Sequence, residues 1–565
     1  MIANPRVLLV YPNIPLMFSP PISMAILTSI CKEMNAPVDL FETTAYTDQF
    51  QSRRIATKKS GHQGRAELDA NDWIDIKPSK QAVPDFIAKV EEFKPDLILV
   101  SCVEDSFSVG IDLLESIRDK NIPNIMGGVF TTFAPEEVLK YDVVNQLCHQ
   151  EGEQVVRDAI TCLREGNPLH DIRGTTYRFD DHAQKNLPAD LVDINEVTPD
   201  FEFFDKKRFG RFQGGRWFNF SMQMETYRGC PYSCTYCNSP GQRAFSKDAG
   251  TGNFMRRKSA DVIKAEFETF FERHQVDHVN FVDDSFLARP MKELEAFAKV
   301  WSEHKTPFWC NTRIENCTPE IMQMMKECGM YRITFGLESG NEEYRRDFLK
   351  RNVTNEKYLQ HIDYVNKSNV PYSINVIIGM PYETKEMALD SARFSRECGG
   401  HDSFTVSAWS PYHGTELRDI AVEAGFMKAD LTWTLEQKLG KGDGSNDGFR
   451  TPLIKMPKPY LQPEEISDLV QLFPLYAYYP DEMWPEIDAK ENIDKLLEIR
   501  NKEYYGAEYQ EGGQEKIDRL QKAWQDRSNK VKKFTPKQTA EWVKAWSIGC
   551  ANHDPSIEDH FGVVA

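Results

Sequence analysis

The sequence predicts an α/β protein built from an N-terminal doubly wound, Rossmann-like sheet, a partial (β/α)6 barrel and a mainly helical C-terminal domain. In the first two parts, short apolar runs alternate with amphipathic stretches, which is typical of parallel strands joined by helices. The last part contains charged amphipathic stretches of helical period. We place the boundaries at residues 1–165, 166–210 (a linker), 211–425 and 426–565.

Four short apolar runs predict the strands of the N-terminal sheet. They read RVLLVYP, VDLFET, PDLILVSCV and NIPNIMGGVF, with a shorter strand before His149 and helical stretches between them. Ligands of such sheets bind at the carboxyl ends of the strands, here YPNIP, SCVEDSF, GGVFTTF and HQEGEQ. No G-x-G-x-x-G follows the first strand, so a dinucleotide site is disfavoured. Gly127 and Gly128 alone are equally well explained by a tight turn.

Six further strands predict the partial barrel. They lie in NFSMQMETYRGC, HVNFVDDSF, PFWCNTRIE, MYRITFGLESG, PYSINVIIGMPYET and SFTVSAWSPYHGTEL, and most of them end on polar or glycine residues. In barrels the carboxyl ends of the strands form the active face. The sequence therefore predicts that these polar residues converge on one site.

Composition limits the classes of function. The chain has 565 residues, a net charge of −18 and 41% hydrophobic residues. A broad nucleic-acid footprint needs a basic face, so nucleic acid is an unfavourable partner. No apolar run approaches the roughly 20 residues of a membrane span, and the N-terminus lacks a secretory pattern, so we expect a cytoplasmic protein without membrane contact. In that compartment clustered cysteines are more often metal ligands than disulfides.

Three of the 12 cysteines lie within eight residues, as Cys230-x3-Cys234-x2-Cys237. A structural zinc site takes four ligands, and the next Cys or His residues, beginning with His274, do not complete a compact knuckle. Three thiolates in one loop can instead hold three irons of a [4Fe–4S] cluster. The fourth iron is then open to an exogenous ligand.

This cysteine spacing, with Tyr236 before the third cysteine, resembles the motif of radical S-adenosylmethionine (SAM) enzymes. FMRRKS, FVDDSF, GLESG, IIGMPYET and SPYHGTEL resemble further segments of that family in the same order. The resemblance implies that Cys230, Cys234 and Cys237 bind the cluster, whose open iron chelates SAM. It also implies that polar groups at the strand ends hold SAM and that one glycine lets the adenine approach the backbone; these residues are Asp283, Asp284, Arg313, Glu338, Ser339 and Gly379.

The N-terminal segments RVLLVYP, PDLILVS, GGVFTT and EGE resemble the cobalamin-binding domain of cobalamin-dependent radical SAM enzymes. The D-x-H-x-x-G motif that supplies a lower cobalt ligand in some cobalamin proteins is absent after the first strand. His149, in LCHQEG, lies late in the domain, so we expect base-off cobalamin without a protein histidine below the cobalt. The expected contacts, with Cys102 or Val103 nearest the cobalt, are Tyr11, Pro12, Cys102, Val103, Glu104, Gly127, Gly128, Glu151 and Gly152.

The resemblance implies a C-methyltransferase acting on an unactivated carbon of a small molecule. A 5′-deoxyadenosyl radical would abstract hydrogen, and the methyl group would come from methylcobalamin. An external electron donor of flavodoxin or ferredoxin type is implied. One alternative is a cobalamin-dependent cyclase or oxidoreductase without methyl transfer; another is a non-catalytic cobalamin or iron–sulfur carrier. The sequence assigns no catalytic side chain and does not name the substrate.

Overall fold

The computed structural model describes residues 1–15, 17–48, 75–213, 216–401, 403–434, 437, 452–490, 492–493 and 495–496. The sequence also predicts a surface excursion at residues 45–82, most of which lies outside this part of the chain. Most of the Gly- and Asp-rich loop before Pro452 and the charged helices expected beyond Leu496 also lie outside it. Within the described residues, no helix is both long and apolar enough to cross a membrane.

The N-terminal domain is a seven-stranded sheet flanked by helices. Its strands are β1 (Val7–Tyr11), β2 (Val38–Glu42), β3 (Leu97–Ser101), β4 (Asn124–Gly127), β5 (Gln146–Cys148), β6 (Thr175–Arg178) and β7 (Ala183–Lys185). Its helices are α1 (Ile22–Glu33), α2 (Ala82–Phe93), α3 (Phe107–Glu115), α4 (Val129–Phe133), α5 (Pro135–Val138) and α6 (Glu153–Glu165). The strand order is β2-β1-β3-β4-β5-β6-β7. The first five strands are parallel, which confirms the predicted doubly wound sheet.

The apolar strands of this sheet are buried on both faces because helices cover each side. Val7 and Leu9 belong to one hydrophobic cluster, whereas Leu8 and Val10 belong to another. The first cluster continues without a break into the second domain. The order 2-1-3 reverses direction between β1 and β3, and ligands of such sheets bind in the crevice at that reversal.

Residues 166–210, expected to be a linker, extend the sheet. The strands β6 and β7 form an antiparallel ladder on the edge strand β5. Each has only three or four residues, too few for an alternating pattern to identify them from sequence.

The second domain is a six-stranded parallel sheet with the strands in chain order, as expected of a partial barrel. These strands are β10 (Ser221–Met224), β13 (His278–Phe281), β14 (Phe308–Thr312), β15 (Met330–Glu338), β16 (Tyr372–Ile378) and β17 (Ser403–Ala408). Short antiparallel pairs stand beside them, namely β8 (Arg211–Gln213) with β9 (Arg216–Phe218) and β11 (Tyr227–Arg228) with β12 (Arg256–Arg257). The helices are α7 (Asn238–Ala249), α8 (Ala260–His274), α9 (Met291–Trp301), α10 (Pro319–Cys328), α11 (Glu342–Asp347), α12 (Asn355–Ser368), α13 (Lys385–Cys398) and α14 (Glu416–Glu423).

The described C-terminal residues form part of the wall of the barrel. They contain α15 (Pro463–Tyr478) and α16 (Trp484–Asp488), and α15 packs against α13 and β17. Its buried residues belong to the same hydrophobic cluster as the barrel strands. A capping box between Gln462 and Glu465 fixes the start of α15.

The carboxyl ends of the two sheets face each other and are tied by polar contacts. The Glu104 carboxylate, after β3, accepts hydrogen bonds from the backbone N–H of His413 (3.0 Å) and binds its ring Nδ1 (2.7 Å). Next to it, Asp105 accepts from the hydroxyl of Tyr412 (2.6 Å) and the indole of Trp433 (2.8 Å). The loop after β17 is therefore held against the end of β3.

The close packing of the two domains at this junction leads to a prediction about Gly414. Its backbone has φ +79°, and a Cβ at this position would overlap the ring of Phe133 from the first domain. We expect Gly414→Ala to destabilise the protein by about 1–3 kcal/mol more than backbone strain alone, because it overpacks a closed interface. Thermal unfolding followed by circular dichroism measures the effect.

Gly425→Ala is the matched control. Gly425 has a similar φ of +71°, but a Cβ there would meet no atom within 4 Å. Its cost is therefore the left-handed backbone strain alone, roughly 1–2 kcal/mol. Equal losses in the two variants would contradict the close packing of the two domains at Gly414.

Candidate cofactor site

The cysteine loop follows β10 and is held in place by a buried carboxylate. Asp283, just after β13, accepts hydrogen bonds from the backbone N–H groups of Thr226 (2.7 Å) and Tyr227 (3.1 Å) and from the Thr226 hydroxyl. Arg289 forms an ion pair with it at 2.9 Å. Burial raises the pKa of Asp283, while these partners favour its charged form. The structure thus gives Asp283 a role in positioning the cysteine loop, and its contact with SAM stays a prediction.

Asp284, the next residue, points the other way. It is exposed to a cavity and its carboxylate accepts a hydrogen bond from the Ser239 hydroxyl at 2.9 Å. Burial nevertheless raises its pKa. Asp283 is buried against the cysteine loop, whereas Asp284, in the turn that follows, faces the cavity; one aspartate is therefore structural and the other is available to a ligand.

The three loop cysteines lie in a low-dielectric environment. Burial raises the pKa of Cys230 to about 11 and that of Cys237 to about 12. The sulfur of Cys237 also accepts a hydrogen bond from the backbone N–H of Ser239 at 3.4 Å. Thiols in such a place become thiolates only when a metal or a cation compensates the charge.

Two arginines reach the remaining thiol, that of Cys234: Arg313 directly follows β14, and Arg351 lies in the segment between α11 and α12. Nη1 of Arg313 lies 3.7 Å from its sulfur and Nη1 of Arg351 lies 3.8 Å from it. Arg313 is also paired with Glu315 and lies over the ring of Tyr232, at 4.0 Å from the ring centroid. The sequence predicts that Arg313 holds SAM; the structure places its guanidinium against one of the cysteines expected to bind the cluster, and contact with SAM stays a prediction.

Glu338 and Ser339 end β15 beside this group. The Glu338 carboxylate accepts a hydrogen bond from the hydroxyl of Tyr236 at 3.0 Å and lies 3.9 Å from Arg351. Burial raises its pKa. The hydroxyl of Ser339 is buried and has no hydrogen-bond partner within the described part of the chain. A buried polar atom without a partner is costly, and a polar ligand at the barrel mouth would satisfy it.

Gly379 was expected to admit the adenine of SAM. In the structure its backbone N–H donates to the Glu383 carboxylate at 2.6 Å. The side chain of Ile466, on α15, packs closely over it. Contact with a ligand at Gly379 thus stays a prediction, and the structure gives the residue a packing role of its own.

A cavity of about 430 Å³ lies between the sheet edge of the first domain and the cysteine loop. Its floor is apolar and includes Ile26, Leu99, Ile125 and Val156. Predicted cofactor residues from both domains line it, namely Gly127, Gly128, Glu151, Gly152 and Asp284. The cavity therefore joins the crevice at the strand ends of the first domain to the start of the cysteine loop and the carboxyl end of β13.

The remaining residues expected to contact cobalamin lie outside the lining of this cavity. Tyr11 and Pro12 are largely buried at the end of β1, and Cys102 is buried with its carbonyl beneath Gly128. Val103 is 47% exposed at the end of β3. Glu104 is bound to His413, as described above, and its contact with cobalamin stays a prediction.

Buried ion pairs close one side of the cavity. Arg228, at the start of the cysteine loop, lies 3.0 Å from Glu151, 2.6 Å from Glu153 and 2.9 Å from Glu225. Arg256 also pairs with Glu151. Burial raises the pKa of Glu153, whereas the two guanidiniums outweigh burial and lower that of Glu151. The network joins the two domains at the place where their ligand-binding edges meet.

Sequence profiles of two families match the chain in different places. The profile of the B12 binding domain matches residues 66–160, and that of the radical SAM superfamily matches residues 224–395. Each matched segment falls within one of the two domains that line the cavity. This chain belongs to the cobalamin-dependent radical SAM enzymes.

Proteins similar to this chain in sequence or in fold include methyltransferases and a cobalamin-dependent radical enzyme. Over 357 residues the chain is 23% identical to an uncharacterized methyltransferase, PH0819, of Pyrococcus horikoshii, covering 61% of this chain and 74% of that protein. The cobalamin-dependent SAM radical enzyme OxsB, solved with aqua-cobalamin and SAM, has a TM-score of 0.58 at 16% identity and covers 94% of this chain and 80% of OxsB. The radical SAM methyltransferase TsrM of Kitasatospora setae, solved with cobalamin and a [4Fe–4S] cluster, has a TM-score of 0.56 at 14% identity and covers 88% and 99%. These structures show a shared fold.

A cobalamin-dependent radical SAM enzyme uses a [4Fe–4S] cluster, SAM and cobalamin, and the donor groups of this chain fit them. Among the described residues, no three His, Cys, Asp or Glu side chains converge closely enough to hold a single metal ion. A cluster does not require such convergence, since each thiolate bonds a different iron. The unpartnered Ser339 hydroxyl suits a polar ligand, and the apolar cavity floor beside three glycines suits a large, mostly apolar ring.

Several residues of this radical SAM enzyme were missed by sequence reasoning. Arg351, Arg228 and Gln242 fall outside the motif positions used above, although Gln242 lines the cavity and its side-chain oxygen has no partner among the described residues. Arginines are common on surfaces, so their burial was not visible in a single sequence.

The buried Glu383 of GMPYET gives the enzyme a pH-dependent stability. Burial raises the pKa of Glu383 to about 8. The folded state then binds a proton that the unfolded state releases above its ordinary pKa of about 4.3. The free energy of unfolding should therefore fall between about pH 4 and 8, by up to about 1.4 kcal/mol per pH unit.

Glu383→Gln should remove this slope, because glutamine keeps an acceptor for the Gly379 N–H but does not titrate. Denaturant unfolding at pH 5, 6, 7 and 8 measures the difference between the variant and the parent. Glu386→Gln, at an exposed position paired with Arg393, is the control and should keep the parent slope. Parallel pH profiles for the parent and Glu383→Gln would contradict the raised pKa.

Proposed function

We propose that the protein is a cobalamin-dependent radical SAM C-methyltransferase acting on an unactivated carbon of a small molecule. The observation that carries the proposal is the single cavity shared by the strand ends of the first domain and the cysteine loop. Methyl transfer through cobalamin needs both cofactor sites to open on one substrate space. The names of PH0819 and TsrM, both methyltransferases, support it.

In this proposal Cys230, Cys234 and Cys237 hold the cluster, and Asp284, Glu338 and Ser339 contact SAM. When bound, the cluster and SAM supply a 5′-deoxyadenosyl radical, and cobalamin supplies a methyl carrier. The chain's own part is to position these groups and to exclude water. The buried Arg228 network closes one side of the cavity, and the apolar floor would accommodate the large, mostly apolar ring of cobalamin.

Around cobalamin the proposed contacts are Gly127, Gly128, Glu151 and Gly152, with Tyr11, Pro12, Cys102 and Val103 at the strand ends nearby. His149 is not a lower ligand in this arrangement. Its Nε2 binds the Thr176 hydroxyl at 2.8 Å, and burial lowers the pKa of His149 to about 4. The small-molecule substrate and an external one-electron donor of flavodoxin or ferredoxin type complete the proposed system.

Isotopic labelling tests the proposed methyl transfer without knowledge of the substrate. Reconstituted enzyme is incubated with hydroxocobalamin, a chemical one-electron reductant and SAM labelled with ¹³C in its methyl group. We expect S-adenosylhomocysteine to form and the label to appear on the corrinoid, and 5′-deoxyadenosine to form separately. Label-free corrinoid with continued 5′-deoxyadenosine formation would favour the cyclase or oxidoreductase alternative. A protein producing neither, despite full cofactor loading, would favour the carrier alternative.

Gly128 tests the cobalamin contacts. It has φ +124°, and a Cβ there would overlap the carbonyl oxygen of Cys102 at the cavity mouth. We expect Gly128→Ala to retain at least tenfold less cobalamin than the parent after gel filtration, because β3 and β4 must move apart. Visible absorption of the eluted protein measures retention.

Gly166→Ala provides the control for Gly128→Ala. Gly166 ends α6 with φ +74° and faces Met1 rather than the cavity. This variant also places a methyl group on a glycine of positive φ in the same domain, although its left-handed helical backbone is less restrictive than that of Gly128, and it should keep the parent's cobalamin. Full retention by Gly128→Ala would remove the β4 end from the proposed site.

A further inference from the structure

Cys234 differs from the other two loop cysteines in its surroundings. Its sulfur receives two charged donors, from Arg313 at 3.7 Å and Arg351 at 3.8 Å. Cys237 instead receives one neutral backbone N–H. Charge-assisted hydrogen bonds are about twice as strong as neutral ones. The hydrogen bonds therefore stabilise negative charge more strongly on the Cys234 sulfur than on that of Cys237.

Arg351 is the more deeply held of the two arginines. Its side chain is 3% exposed, and its second amino group donates to the backbone carbonyl of Gly336, on β15. Nη1 also donates to the hydroxyl of Tyr236 at 3.0 Å, which in turn donates to Glu338. These contacts fix the guanidinium plane, so its distance to the Cys234 sulfur is set by the barrel.

Within the part of the chain that the structure describes, no carboxylate forms a hydrogen bond with the Arg351 guanidinium, so its positive charge can act on the Cys234 sulfur. Its nearest carboxylate, on Glu338, lies 3.9 Å away, beyond hydrogen-bond distance. By contrast, Arg313 has a close carboxylate partner in Glu315. Among the described residues, Arg351 is therefore a buried cation with no carboxylate in hydrogen-bond contact, and it contacts a thiol of the proposed cluster. Such a cation is costly to bury unless an anion compensates it.

We propose that Arg351, assisted by Arg313, raises the reduction potential of the cluster by stabilising its one-electron-reduced form through the Cys234 sulfur. Hydrogen bonds to cluster sulfurs and nearby charge are among the factors that set such potentials. Reduction adds one negative charge to the cluster, and a fixed cation in a low-dielectric site favours that change. The electron comes from the external one-electron donor. Arg351 is thus a positioning residue that acts through Cys234, and the inference rests on the proposed cysteine ligation.

The test is a redox titration of the reconstituted enzyme, followed by the electron paramagnetic resonance signal of the reduced cluster, without SAM. We expect Arg351→Gln to shift the midpoint to a more negative potential. A tenfold lower ratio of reduced to oxidised cluster at a fixed poise corresponds to a shift of 59 mV for one electron. Arg313→Gln should shift it in the same direction, and less, because Glu315 already offsets its charge.

Lys350→Gln is the matched control, since it removes one positive charge from the adjacent residue. Lys350 is 48% exposed and paired with Glu416, so solvent screens it from the cluster. Its midpoint should equal that of the parent. Arg351→Lys keeps the charge without the planar fork and should give an intermediate shift, which makes the result independent of whether Arg351→Gln folds well.

The outcomes separate this inference from the proposed function. A parent protein with no reducible cluster after reconstitution would refute the cysteine ligation itself. A parent with a normal cluster and variants with unchanged midpoints would refute the role of Arg351. A midpoint unchanged without SAM, together with weaker SAM binding in Arg351→Gln, would assign the arginine to SAM instead and also overturn the inference.

Discussion

The geometry of this protein depends on one buried cation, Arg228. Arg228 lies at the start of the cysteine loop and is surrounded by carboxylates from both domains. Glu151 and Glu153 belong to the first domain and Glu225 to the second. Removing one partner of a buried pair leaves an uncompensated charge, which costs roughly 3–5 kcal/mol. The loop cannot leave the edge of the first sheet without that cost, so the orientation of the cysteines is tied to the first domain.

A second group of contacts acts at the opposite side of the junction. Glu104 and Asp105, at the end of β3, bind His413, Tyr412 and Trp433 beyond β17. The two groups together fix the first and last strands of the barrel against the first sheet. Because both attach at carboxyl ends of strands, they bring two ligand-binding edges face to face. The shared cavity is a consequence of this arrangement.

The same residue types serve different purposes within a few ångströms. Asp283 and Glu104 lie at strand ends, where ligands usually bind, yet their carboxylates hold parts of the protein together. Asp284, next to Asp283, and Ser339, at the end of β15, keep polar atoms available. A buried carboxylate needs hydrogen-bond donors. Where backbone N–H groups or arginines of the protein supply them, as at Asp283 and Glu104, the carboxylate holds parts of the protein together.

Local patterns in the sequence were sufficient to predict the two parallel sheets, the order of the strands within the barrel and the cysteine motif. Strand and helix periods are properties of neighbouring residues, and three thiols in eight residues are close in any fold. The ladder of β6 on β5, the packing of α15 against the barrel and the burial of Arg351 depend on segments far apart in the chain. Only the tertiary structure decided these, because a charged side chain carries no local mark of the partners that distant strands will place around it.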